Sequence, residues 1–120
     1  MSGGSDKPSS KPSDVLIVFC TCPDSTTARR LARQAVDRSL AACANLLPGV
    51  ESIYRWQGQV ESAEEILVLF KCQRPGFDAL RAFLTENHPY EVPEVVAVEI
   101  GAGNGEYLDW VRENSKGADG

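Results

Sequence analysis

Five apolar β-formers, Val15 to Phe19, stand in succession near the start of the chain. An apolar run without alternation predicts a strand buried on both faces. Thr21 to Asp24 breaks the run, and Pro23 suits the first residues of a helix. From there Ala28, Leu31, Ala32, Ala35, Val36 and Leu40 recur at helical spacing, opposite a face carrying Arg29, Arg30, Arg33, Asp37 and Arg38. Cys43 to Trp56 reads as extended, interrupted at Pro48-Gly49. Beyond the interruption Val50, Ser52, Tyr54 and Trp56 share one face, and Glu51, Ile53 and Arg55 the other. Gln57-Gly58 supplies a hairpin turn. The return strand begins acidic, with Glu61, Glu64 and Glu65, and becomes a second unbroken apolar run from Ile66 to Phe70. Pro75-Gly76 opens a second helix with Phe77, Leu80, Phe83 and Leu84 inward, and Pro89 ends it near His88. Pro89 to Pro93 is loop, and Val95 to Ile100 is the fourth strand. After Gly101 to Gly105, a short helix carries Tyr107, Leu108, Trp110 and Val111.

The order β-α-β-β-α-β followed by a helix is the split βαβ pattern of an α+β, ferredoxin-like sandwich. Its antiparallel sheet places the first and third strands in the centre, and these are the two uninterrupted apolar runs. Right-handed crossovers put both main helices on one face. The other face has no cover of its own, so the last helix, a partner subunit, or both must shield it. Met1 to Asp14 contains no Val, Ile, Leu or aromatic residue and is expected to be a disordered tail. A single domain over 15–115 follows, with a second loose tail over 116–120.

Charge narrows the partners. The 120 residues hold 12 Lys plus Arg against 17 Asp plus Glu, a formal charge of -5. That balance argues against nucleic acid, whose phosphates require clustered cations. No apolar run approaches the ~20 residues needed to span a bilayer, and no apolar segment at the N-terminus resembles a secretory signal. The expected compartment is therefore a reducing cytoplasm, with Cys20, Cys22, Cys43 and Cys72 as free thiols. Their spacing does not form the paired C-x-x-C arms of a structural zinc site.

Topology brings chemistry to one end of the sheet. Cys20 and Cys22 close the first strand, and the second helix delivers His88 to the same end, with Tyr90, Glu91 and Glu94 just beyond. Thiolate and imidazole are donors suited to copper or zinc. A Cys ending a buried strand also serves as a small hydrophobe, and Cys43 and Cys72, at the opposite end, read as packing residues. A nucleophile and base pair, Cys20 or Cys22 with His88, lacks an identifiable group to orient the imidazole. The Gly101 to Gly105 segment lacks the lysine and hydroxyl residue of a phosphate-binding loop. Tyr54 and Trp56, aromatic and on a projecting hairpin, are expected to meet another chain.

Three separated segments carry a resemblance: FCTCPD at 19–24, LAACANLLPGVESIYRWQG at 40–58 and HPYEVPE at 88–94. Together with YLDW at 107–110 they closely resemble the CutA family of divalent-cation tolerance proteins, over roughly Val15 to Asn114. The resemblance implies a homotrimer joined through its long hairpin, linked to tolerance of divalent cations and able to bind copper or another divalent metal ion. Taken with the residue reading, a non-enzymatic protein with no organic cofactor is expected. It assigns Cys20 and His88 as metal ligands. On donor chemistry and not on the resemblance, Cys22 and Glu91 are further candidate ligands, and Glu91 and Glu94 are expected to attract an ion from around the site. Some relatives carry a second His where this chain has Asn87, and an amide oxygen is a poorer soft-metal donor. The fold and trimer also look similar to the PII signalling proteins, which makes a nucleotide or small-ligand sensor the alternative.

Overall fold

A computed structural model describes residues 11–117. Among these the strands are β1 (Val15–Cys22), β2 (Cys43–Trp56), β3 (Gln59–Gln73) and β4 (Val96–Glu99). The helices are α1 (Ser25–Asp37), α2 (Phe77–Asn87) and α3 (Gly105–Glu113). The sheet has the order β2-β3-β1-β4, every neighbouring pair antiparallel. This is the expected ferredoxin-like arrangement, with the two unbroken apolar runs at its centre.

Strand and helix limits differ from the sequence pattern in informative places. β1 continues through Thr21 and Cys22, which pair with Leu67 and Ile66. The ladder to β3 outlasts the apolar run because backbone pairing does not require apolar side chains. Pro23 then precedes the helix instead of entering it. Asp24 is the N-cap of α1, its carboxylate accepting the Thr27 N–H at 2.8 Å. β2 crosses Pro48-Gly49 with a register shift between Leu47 and Val50, so one long strand is bent but not divided. At the hairpin tip Gln57 and Gly58 both have positive φ, 51° and 81°. Two such residues match a tight turn to the twist of its strands.

Structure also reaches past both expected domain ends. Pro12–Asp14 forms a 3-10 turn, held where Arg112 donates to the Lys11 carbonyl at 2.8 Å and Arg74 to the Ser13 carbonyl at 3.1 Å. Gly117 N–H donates to Ser39 O at 2.8 Å. The rest of the two expected tails, 1–10 and 118–120, lies outside the described residues.

The core fills the space between the sheet and α1 and α2. Leu16, Val18, Cys20 and Cys22 project from β1 into it, beside Val68, Phe70 and Cys72 of β3. Leu31 and Ala35 of α1 and Leu80, Phe83 and Leu84 of α2 complete it. A smaller cluster of Val15, Ala42, Leu108 and Val111 lies under α3. Ser115 secures that helix: its hydroxyl donates to Val111 O at 2.6 Å and accepts Gln73 N–H at 3.0 Å.

Alternation places Ile17 and Phe19 on the face opposite α1 and α2. Their neighbours there by register are Val98 and Val96 of β4 and Leu69 of β3. α3 shields one corner of this face and leaves Val96 and Val98 at 52% and 48% exposure. The hairpin projects: β3 has 15 residues, which accounts for the long dimension of a molecule measuring 57 × 27 × 21 Å. Tyr54 and Trp56 near its tip are 42% and 57% exposed, so neither is packed away on its own sheet. No helix among the described residues is long and apolar enough to cross a membrane.

Candidate metal centre

The site is assembled from the end of β1 and the loop after α2. Cys20 and Cys22 are two apart on a strand, so both side chains point to the same face. That face is the core, and both are fully buried. α2 stops at Asn87 because Pro89 disfavours helical geometry at the residue before it; His88 accordingly adopts extended φ and ψ of -85° and 144°. Arg30 donates to the Asn87 carbonyl at 3.2 Å, which ties this helix end to α1. The turn brings the His88 ring under the end of β1, where it is 9% exposed. The ligand atoms of Cys20, Cys22 and His88 lie within 4.8 Å of one another.

Hydrogen bonds define the imidazole. Nδ1 lies 3.0 Å from the backbone N–H of Tyr90 and so accepts it. Nε2 lies 2.8 Å from the carbonyl oxygen of Thr21, which can only accept. The ring is therefore neutral with its proton on Nε2, and both nitrogens are engaged. The Tyr90 ring packs beside that of His88 with centroids 4.7 Å apart. Its hydroxyl donates to Glu65 at 2.6 Å.

The two thiols differ electrostatically. The neighbouring Cys20 thiol moves Cys22 below the ordinary thiol range against the opposing effect of burial, while the Cys20 S–H points to the Thr21 carbonyl at 3.9 Å. The proximity of Cys22 moves Cys20 up, and burial adds to it, as do the carboxylates of Glu94 and Glu65. A cation held between the two sulfurs would offset the charge that each thiolate places on the other.

The expected residues separate into those the fold gathers and those it does not. Cys20, Cys22 and His88 converge. Glu94 is exposed but close enough for its charge to bear on Cys20. Glu91 is exposed and lies outside the three-donor cluster. Asn87 is exposed and occupied, its side-chain amide donating to Phe83 O at 2.8 Å. Cys72 is buried in the core at the far end of the sheet, paired across from Leu16, and Cys43 lies there too, 3.4 Å from the Tyr107 hydroxyl. The sequence pattern did not single out Glu65 for the site. It is 8% exposed, and its Tyr90 partner lies 25 residues away. A groove of about 750 Å³ between α1 and β2, lined by Arg29, Ala32, Arg33, Val36, Ala44 and Leu46 among others, contains none of the three donors.

These features define an α+β, ferredoxin-like fold with a buried cluster of two thiols and one imidazole. The chain belongs to the CutA1 divalent ion tolerance protein family, whose model matches residues 16–114. It is 48% identical over 99 residues to the divalent-cation tolerance protein CutA of Thermus thermophilus, covering 82% of this chain and 96% of that one. It is 44% identical over 102 residues to the human protein CutA, covering 85% of this chain but only 57% of the human protein's length. Among solved structures, CutA from Xylella fastidiosa superposes with a TM-score of 0.85 at 41% identity, covering 87% of this chain and all of that one.

Proposed function

We propose that this chain is a non-enzymatic metal-ion tolerance protein that binds a soft metal ion, copper foremost, through Cys20, Cys22 and His88. The observation that carries the reading is the gathering of three donor side chains, all buried, within 4.8 Å. Their chemistry fits: thiolates and imidazole favour soft and borderline ions, and three donors suit low coordination better than a closed four-ligand zinc site. The bound ion would supply the positive charge that stabilises both thiolates together. The protein's part is to position the thiols from a rigid central strand, exclude water, and keep the acidic Glu94 nearby. A thiol-based enzyme is disfavoured, because Cys20 and Cys22 are both fully buried, where a substrate cannot reach them.

The same reading has three copies associating, with the hairpin residues Tyr54 and Trp56 at the contact. Its support is the apolar sheet face that α3 leaves open, together with the exposed aromatics of the hairpin. Four free cysteines, three of them buried, fit a reducing compartment such as the cytoplasm. One observation favours the sensor alternative: Arg29 and Arg33 beside the apolar floor of the α1–β2 groove offer an anionic ligand a place to rest. Titration of the reduced protein with copper(I), alongside its Cys20→Ser and His88→Ala variants, tests the first reading. A thermal shift with nucleotides and none with metal would favour the second.

A further inference from the structure

We infer that metal binding at this site necessarily breaks the hydrogen bond from Tyr90 N–H to His88 Nδ1, so that occupancy is transmitted to the 88–95 loop and to Glu65 at the base of the hairpin. The inference rests on the proposed metal site and deepens it.

The argument is proton bookkeeping on one ring. A neutral imidazole carries a single N–H, and a nitrogen that ligates must present its lone pair. If Nδ1 ligates, the Tyr90 N–H loses its acceptor directly. If Nε2 ligates, the Thr21 carbonyl loses its donor, and the ring proton moves to Nδ1. Two N–H groups, those of Nδ1 and Tyr90, then face each other across the 3.0 Å that now separates donor from acceptor. That arrangement is repulsive, and the backbone at Tyr90 must turn away. Both routes remove the same bond. Each thiol that ligates as thiolate releases its proton to solvent, so no oxidant or reductant is involved.

The consequence travels along Tyr90. Its backbone is bonded to the ring, and its hydroxyl is bonded to Glu65, which pairs with Val50 where the β2–β3 ribbon resumes after its register shift. A displaced Tyr90 backbone pulls on, or releases, that carboxylate. The loop would then hold a second hydrogen-bonding arrangement when the site is occupied, and a pair of discrete arrangements is the physical requirement for coupling between distant positions.

Backbone-amide NMR of the full, reduced chain with anaerobic copper(I) tests this, with bound metal measured by equilibrium dialysis. At saturation, hydrogen exchange at Tyr90 is expected to accelerate at least tenfold. Val18, within the central ladder, is expected to keep its rate, and the amide resonances of Glu64 to Ile66 to shift. In Tyr90→Phe, which keeps the N–H and loses the hydroxyl, the Tyr90-position effect is expected to remain while the shifts at 64–66 disappear. In His88→Ala the amide should already exchange fast and be indifferent to metal. Bound copper with unchanged exchange at Tyr90 would overturn the coupling and leave the metal site standing. Failure of the wild-type chain to retain copper would overturn the metal site, and the coupling with it.

Discussion

Tyr90 donates its hydroxyl to Glu65 at 2.6 Å, joining the loop that positions His88 to the strand that runs out into the hairpin. Burial raises the pKa of the phenol, and its hydrogen bond to the Glu65 carboxylate raises it further. Tyr90→Phe leaves Glu65 buried without this partner, which is expected to cost about 1–3 kcal/mol in urea unfolding. Glu65→Gln keeps an acceptor oxygen for the hydroxyl and is expected to cost less. Equal losses in the two variants would contradict the role given to this bond.

The open sheet face leads to an oligomer prediction. Light scattering of the wild-type chain at micromolar concentration is expected to report three times the monomer mass. Val98→Lys, which places a charge among Ile17, Phe19 and Val96, is expected to reduce that mass. A wild-type monomer would contradict the assembly.

Cys72 makes stability depend on alkaline pH. Burial pushes its thiol up to about 11 from 9.0. Between those values the unfolded chain loses the proton while the folded chain keeps it, so this contribution is intact below pH 9 and declines as pH rises toward 11. The difference in urea midpoint between wild type and Cys72→Ala is therefore expected to narrow from pH 8 to pH 10.5. A difference that widens would contradict the assignment.

Ser115 fills two hydrogen-bonding roles at once and is 1% exposed. Ser115→Ala strands the Gln73 N–H and loosens the end of α3, at an expected cost of roughly 1–3 kcal/mol by thermal or urea unfolding. A neutral outcome would mean that water replaces the hydroxyl.

Much of this was legible in the sequence because the informative signals were local. Two unbroken apolar runs marked the central strands, Pro89 marked the end of α2, and the resulting topology carried Cys20, Cys22 and His88 to one end of the sheet. What stayed hidden depends on contacts between distant segments. Nothing separates Glu65 from its neighbours Glu61 and Glu64 until Tyr90 is seen to reach it. β1 runs beyond its apolar residues because pairing with Ile66 and Leu67, and not side-chain character, sets its end. Glu91 shares a short loop with His88, yet two prolines, Pro89 and Pro93, bound that loop and its side chain remains in solvent.

Copper(I) titration of the reduced protein tests the metal site most directly. Wild type is expected to bind one ion per chain, with Cys20→Ser, Cys22→Ser and His88→Ala each weaker by at least about tenfold, the scale on which even outer partners of a metal site act. Glu91→Gln, at an exposed position, is expected to bind as wild type does. Equal affinity in wild type and all three ligand variants would contradict the site.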